Sequence, residues 1–237
     1  MMRRLLLCVC ASAVITGFVA PSTAAAQQTV NFFVGGFVPR GIDARGPGEV
    51  LFNDFYLNPR WFLVFDMKDF RGFTGGAEYL AGLGDHFDAG LGVGIYSRTS
   101  PAIDADFTRP GGSEVQADLR LRIVPVTATL RYLPLGHHDA IEPYVGAGVG
   151  IYNWRYMETG DFVDSKNNII RGTFTGSDTS VGPVIVGGVR VPAGKARIGG
   201  EIRYQRGEGN LPSDQGFAGT KIDLGGLSYL FTVGVRF

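Results

Sequence analysis

Four sets of residues have the types and spacing that chemistry would require. His137-His138-Asp139 is the metal-like cluster in a chain with only three histidines. Adjacent histidines on one turn do not converge on an ion and lack the supporting groups that orient metal ligands, so a solvated turn and no metal are expected. Gly90-x-Gly92-x-Gly94 and Gly146-x-Gly148-x-Gly150 suggest a phosphate-cradling loop. Such a loop must follow a strand and open a helix, whereas these glycines repeat strictly every second residue inside strand-like segments, so no nucleotide or other cofactor is expected. A Ser, His and acid set at an exposed rim would suit acyl transfer or proteolysis. Here His86, His137 and His138 all fall in short turns, and Asp161, Asp164 and Asp178 lie in a polar loop that solvates them. No catalysis is expected.

The fourth set is the largest: Glu78, Asp88, Asp118, Arg120, Arg122, Arg131, Arg197, Glu201, Arg203 and Arg236, all at alternate positions of strand-like segments. If these share an enclosed interior they must pair, because an isolated buried charge is very costly. Arginine fits this role through its planar, bidentate fork. The set is therefore read as a lumen charge network, either a salt-bridged plug or a narrow path that opens when pairs exchange.

The elements that would position these residues are strands. Eight segments carry period-2 patterning, at about 28–38, 71–82, 87–98, 115–133, 141–156, 179–192, 196–206 and 222–237, with hardly any helical periodicity. Short turns at 84–86, 135–140 and 192–194 alternate with long polar connections at 39–70, 99–114, 157–178 and 207–221. Short turns at one end and long loops at the other are the arrangement of an outer-membrane barrel, with both termini periplasmic. In 115–124, Leu119, Leu121 and Ile123 oppose Gln116, Asp118, Arg120 and Arg122; after Pro125 the apolar set becomes Val126, Ala128, Leu130 and Tyr132. A bulge at Pro125 would explain that change of phase.

Alternation alone does not say which face is inside, since a soluble lipocalin-like barrel alternates too. Glycines beside charges of both signs on the polar face favour polar-inward. So do aromatics near strand ends, namely Phe73, Tyr79, Phe87, Tyr132, Tyr144, Trp154, Tyr204, Tyr229 and Phe237, which suit interfacial girdles. Within 39–70, Leu51-Phe52, Phe55-Tyr56-Leu57 and Trp61-Phe62-Leu63-Val64-Phe65 are unusually apolar for a loop. They would either zip extended first and second strands together or form a lid or an apolar entry surface, and 61–66 is an alternative start for the second strand.

The N-terminus reads as an export signal. A basic start at Met1 to Arg4, an apolar run from Leu5 to Ala20, and Ala24-Ala25-Ala26 before Gln27 place a cleaved signal peptide at 1–26 and a single barrel domain at 27–237. Cleavage removes Cys8 and Cys10, so thiol chemistry and disulfides are not expected. It also removes Arg3 and Arg4, leaving 20 basic against 22 acidic residues, a balance that offers nucleic acid no basic field. Lysine is scarce: Lys68, Lys166, Lys195 and Lys221 are the whole complement. No later run is long and apolar enough for a spanning helix, so a closed barrel is the remaining way across a bilayer.

The last residues, Tyr229-Leu230-Phe231-Thr232-Val233-Gly234-Val235-Arg236-Phe237, place Tyr229, Phe231, Val233, Val235 and Phe237 on one face. This resembles the terminal assembly signal of bacterial outer-membrane proteins. Together with Glu142-Pro143-Tyr144-Val145-Gly146-Ala147-Gly148-Val149-Gly150, it makes the chain similar to the small outer-membrane β-barrel domain family related to OmpA, OmpX and OmpW. The resemblance implies an all-β, eight-stranded, antiparallel up-and-down transmembrane barrel in the cell outer membrane. It also implies outer-membrane lipid, the barrel-assembly machinery and periplasmic chaperones as partners. A peptidoglycan-binding domain after the barrel is not expected, because Phe237 is the last residue. These motifs specify export and assembly, not a ligand. The expected function is that of a structural, monomeric envelope protein with surface-exposed loops. A narrow pore or an OmpW-like conduit for small hydrophobic molecules is the alternative, and a lipid-modifying enzyme the third reading.

Overall fold

The computed structural model describes residues 28–57, 63–137, 139–163 and 166–237. The expected signal peptide at 1–26, and Trp61, Phe62, His138 and Asp164, lie outside them.

Eight long strands form a closed antiparallel ring: β1 (Gln28–Pro39), β2 (Gly72–Gly82), β3 (Phe87–Thr108), β4 (Glu114–Tyr132), β5 (Glu142–Val163), β6 (Ile169–Ala193), β7 (Ala196–Gln205) and β8 (Gly226–Arg236). Each strand pairs with its chain neighbours, and β1 closes on β8 from Thr29↔Arg236 to Pro39↔Gly226. Closure pairs each of the eight strands on both sides, which lets a sheet enter lipid. The three short turns each contain a glycine at positive φ, Gly84, Gly136 and Gly194, where a side chain would be strained.

The strands overrun the expected boundaries at the loop end. Residues 99–108 continue β3, while 157–163 and 169–178 continue β5 and β6, so two of the expected loops are mostly ladder. At ~3.3 Å per residue, the 22 residues of β5 extend roughly 70 Å. Even tilted, that is far more than a ~30 Å hydrocarbon layer requires.

The two ends of the barrel are chemically inverted. Near the turn end the exposed outward residues are apolar, as with Leu91, Val93 and Ile95 on β3, Val145, Val149 and Ile151 on β5, and Tyr229, Phe231, Val233 and Val235 on β8. On β5 this lipid-facing band occupies about 143–153, matching the ~9–11 residues of a tilted spanning strand. Beyond it the same backbone phase carries polar residues outward and apolar ones inward. The phase change at Pro125 is this boundary and not a bulge: β4 pairs with β5 without interruption through Ile123↔Trp154, Pro125↔Tyr152 and Val126↔Ile151. Side-chain direction never switches; the surrounding medium does. Phe73, Phe87, Tyr132, Tyr229 and Phe237 lie exposed at the edges or surface of the band, and Tyr79 and Tyr204 are half-buried. Tyr144 and Trp154, expected in the girdles, instead point inward and are 2% and 1% exposed.

The loop end encloses an apolar core. Leu119, Leu121 and Ile123 of β4 and Tyr152, Trp154 and Tyr156 of β5 pack with Val50, Leu51, Phe65 and Phe70 of the first loop and with Leu211, Ile222 and Leu224 of the last. Val50, Leu51, Phe65 and Phe70 of the first loop are thus folded into the barrel mouth, while Tyr56 and Val64 stay exposed on its flank. Leu63–Val64 forms a two-residue strand beside Ile103 and Asp104 of β3, taking up the edge that β2 leaves free. A small hairpin, Glu208–Asn210 with Lys221–Asp223, closes the mouth from the other side. Gly209 is required there: a Cβ would stand 2.3 Å from the Trp154 ring.

Candidate functional site

The interior of the lipid-facing segment holds two stacked layers of ion pairs. In the upper layer Arg131 (β4) donates to both oxygens of Glu78 (β2) at 2.7 and 2.6 Å and lies 2.9 Å from Glu201 (β7). Arg203 (β7) donates to Glu201 at 2.9 Å and approaches Glu78 at 3.7 Å. The Tyr144 hydroxyl donates to Glu201 at 2.8 Å. In the lower layer Arg190 (β6) donates to Asp88 (β3) at 2.8 Å and lies 3.4 Å from Glu142 (β5). Arg197 (β7) donates to Glu142 at 3.1 Å and to the Thr29 hydroxyl at 3.2 Å. The Tyr144 ring joins the layers, with the Arg131 and Arg190 guanidinium carbons 4.8 and 5.0 Å from its centre.

Each layer balances two carboxylates against two arginines. Arg131 with Glu78 and Glu201, Arg203 with Glu78, Arg190 with Asp88 and Arg197 with Glu142 are two or three strands apart around the ring, so these pairs bridge the lumen, while Arg203–Glu201 lies within β7 and Arg190–Glu142 joins neighbouring strands. Arginine is needed for this geometry, since Arg131 serves two carboxylates from one planar group.

Six of the residues expected in the lumen network are brought together here: Glu78, Asp88, Arg131, Arg197, Glu201 and Arg203. Asp118, Arg120 and Arg122 are not; they face outward and are exposed, because they lie beyond the band, where the polar face is the outer one. Arg236 stands half-buried at the turn end, where its backbone N–H donates to Lys195.

Glu142, Arg190, Tyr144 and His137 are members that sequence patterning missed. Glu142 and Tyr144 share the inward phase with Gly146 and Gly148, a usable signal. Arg190 was hidden because Val184 and Val186 also point inward, leaving β6 apolar on both faces. His137 is not a solvated turn residue. It is 3% exposed and its Nε2 lies 3.1 Å from Asp88, so this turn residue reaches the lower layer of ion pairs. His86 remains at the turn end, stacked on Tyr132 with ring centres 6.4 Å apart.

The glycine runs lie within β3 and β5, without a helix to follow them. No group of three metal-ligating side chains assembles among the described residues. Asp161 pairs with Arg109 at the loop end, and Asp178 is exposed there.

Above the band, Arg45 pairs with Glu49, which also accepts backbone N–H groups from Phe52 at 2.9 Å and Asp223 at 3.2 Å. Arg40 reaches Asp223 at 2.6 Å, and Asn53 donates to the Ala218 carbonyl at 2.8 Å. These contacts stitch the first loop to the last. Two carboxyls, Asp54 and Glu158, are buried beneath them and line one small cavity. Burial lifts Glu158 to about 7, and burial with the facing Glu158 and Glu49 charges lifts Asp54 well above the usual range.

No family model matches the chain, and no curated protein matches it. Among solved structures it is similar to Neisserial surface protein A at 12% identity, over 89% of this chain and 97% of that one, with a TM-score of 0.44. It is similar to the outer membrane protein AlkL at 15% identity, over 92% and 95% of the two chains, with a TM-score of 0.44. Escherichia coli outer membrane protein W aligns at 15% identity over 91% of this chain and all of that one, with a TM-score of 0.39. Ligand and role do not transfer at such values. On its own strand ring, apolar outside and ion-paired within, the chain is a small eight-stranded antiparallel transmembrane β-barrel.

Proposed function

We propose that this protein is a structural component of the bacterial outer membrane. It is a closed, monomeric barrel that holds a rigid extracellular wall and its loops above the lipid and catalyses no reaction. The observation that carries this reading is the ion-pair network spanning the lumen from β2 and β3 to β6 and β7. An eight-stranded interior is just wide enough for side chains to fill it, and here the filling is charge-balanced and cross-linked. A second seal, the apolar core with both loops folded in, lies on the same axis.

In this reading the turn end and both termini are periplasmic. Tyr229, Phe231, Val233, Val235 and Phe237, all lipid-facing and exposed, serve as the assembly signal read by the barrel-assembly machinery after periplasmic chaperones deliver the exported chain. The test is single-channel recording of the refolded full chain in a planar bilayer, with heat-modifiable gel migration as proof of folding. The expected result is a folded barrel with no discrete conductance. Reproducible openings that change when Glu201 is neutralised would overturn the sealed-lumen reading and make the protein a gated path.

One observation favours a second reading, the binding of a small hydrophobic molecule at the loop end. Phe55, Val64, Phe65, Met67, Pro101 and Ile103 line an open apolar groove of about 590 Å³ on the flank of the barrel mouth, a volume typical of ligand sites. A hydrophobic fluorescent probe that binds wild type and is lost in Met67→Asp would support it.

A further inference from the structure

Arg122 of β4 and Arg155 of β5 are direct cross-strand partners, and Arg120 is next to them on the same outward face, opposite Met157. All three are exposed. Side chains directly opposite on one face sit roughly 4.5–5.5 Å apart at Cβ, and like charges there destabilise the sheet. Among the described residues no carboxylate pairs with any of the three arginines, whereas the four lumen arginines each have one. The residues opposite the cluster on the flanking strands are Ser97 and Thr99 of β3 and Thr175 and Ser177 of β6, which are neutral. Asp118, one same-face step beyond Arg120 and away from the membrane, is the adjoining acid. The three guanidiniums and Met157 enclose a cleft of about 120 Å³.

The height of this cluster decides what fills it. Val126 and Ile151 are cross-strand partners and exposed at the top of the apolar band. Arg122 and Arg155 lie four residues further along. At ~3.3 Å per residue and a tilt of about 40°, that is roughly 10 Å above the last lipid-facing pair. The headgroup layer begins at the edge of the hydrocarbon, and an arginine stem is long enough to carry its head several ångströms along the wall. The cluster therefore stands where lipid phosphates lie, in the leaflet at the loop end.

We infer that Arg120, Arg122 and Arg155 form a binding site for the phosphate of a lipid headgroup in that leaflet, with the paired guanidiniums of Arg122 and Arg155 clamping the phosphate oxygens. Arginine–phosphate pairs are commonly bidentate, and a bound dianion converts the cross-strand repulsion into attraction. This rests on the barrel's position in the membrane and not on whether its lumen is sealed.

The test uses the full chain refolded into phosphatidylcholine nanodiscs, with folding of every variant confirmed by heat-modifiable migration. Diphosphorylated lipid A, its dephosphorylated counterpart and inorganic phosphate are titrated separately, and retained ligand is counted by native mass spectrometry. The expected result is at least tenfold preference for the phosphorylated over the dephosphorylated lipid. That preference is lost in Arg122→Gln/Arg155→Gln, weakened in Arg120→Gln, and kept in Arg171→Gln, which alters an exposed arginine away from the cleft. Equal retention of both lipids, or a preference untouched by the double substitution, would overturn the site. Displacement of the lipid by millimolar inorganic phosphate would overturn its assignment to lipid and make it a free-anion site.

Discussion

Replacing Arg131 by methionine tests the lumen network where it is most concentrated. Arg131 is 0% exposed, and one of its nitrogens lies 2.6 Å from Glu78 and 2.9 Å from Glu201. Methionine keeps much of the volume and removes the charge, leaving two buried carboxylates with Arg203 as their remaining cation in that layer. Hydrogen bonds to charged groups contribute about 1.5–3 kcal/mol each, and breaking a buried pair by removing one partner costs about 3–5 kcal/mol. Glu201 keeps Arg203 and the Tyr144 hydroxyl, whereas Glu78 keeps only Arg203 at 3.7 Å and is the orphan, so the expected loss is about 3–5 kcal/mol. The assay is equilibrium urea unfolding of the refolded barrel in detergent micelles, read by the fluorescence of its two tryptophans and by gel migration. Arg131→Met combined with Glu78→Gln removes the orphan together with its partner, and should recover about half of the loss. Such non-additivity is expected of residues in one network. A single-substitution loss below about 1 kcal/mol, or strict additivity in the double variant, would mean that water solvates these groups and that the lumen is not sealed by them.

Further outcomes follow from other parts of the barrel. Glu158 has a folded-state pKa of about 7 against an ordinary value of 4.5; because the folded value is the higher one, its stability contribution is complete below pH 4.5 and lost as pH rises through 7. At ~1.4 kcal/mol per unit Glu158 alone should cost the wild type about 3 kcal/mol between those limits by pH-dependent urea unfolding; Glu158→Gln should remove that share and leave only the slope from the remaining buried carboxyls such as Asp54, which burial also lifts, and an unchanged slope would refute the assignment. Gly209→Val drives a side chain into the Trp154 ring, so the loop-end core should loosen by about 1–3 kcal/mol; in a Trp61→Phe background, a red-shifted Trp154 emission with an intact heat-modifiable band is the expected signature, and unchanged emission would contradict the packing. Val149→Arg places a charge on the lipid face in the middle of the band, where the cost is about 2–4 kcal/mol; folding yield into vesicles should fall, and an unaffected yield would mean that this face does not meet lipid.

Alternation encodes which residues share a face, and that much was legible: all eight strands and the ring they form follow from it. What alternation does not encode is the medium each face meets. Arg120 and Arg122 share a face with Val126 and Leu130 along one unbroken ladder, but the first pair lies in the headgroup and solvent region and the second in lipid. The chemical inversion at Pro125 was visible in the residues, whereas its cause, a strand leaving the membrane, is set by strand length and position. Other parts of the site had weaker local signals. Arg190 lies among valines on both faces of β6, and His137 belongs to a turn, which has no periodicity to read. The packing of Val50 and Leu51 against Ile222 and Leu224 depends on contacts more than 160 residues apart in sequence, and only the closed ring brings those loops together.

The two seals differ in how they hold. The membrane-level seal is directional: each guanidinium has a specified carboxylate, so the interior tolerates few rearrangements, and partial opening would strand charges in a low-dielectric space. The loop-end seal is non-directional apolar packing, tied across by Arg40–Asp223 and Arg45–Glu49 and destabilised from within by Asp54 and Glu158. A barrel closed by the first seal has no need of the second to block ions, so the second is better understood as the framework of the exposed end. It converts two long loops and the overhanging halves of β3 to β6 into one rigid surface. Any ligand contact is then expected on the outside of that surface, at the apolar groove or the arginine cleft, and not along the axis.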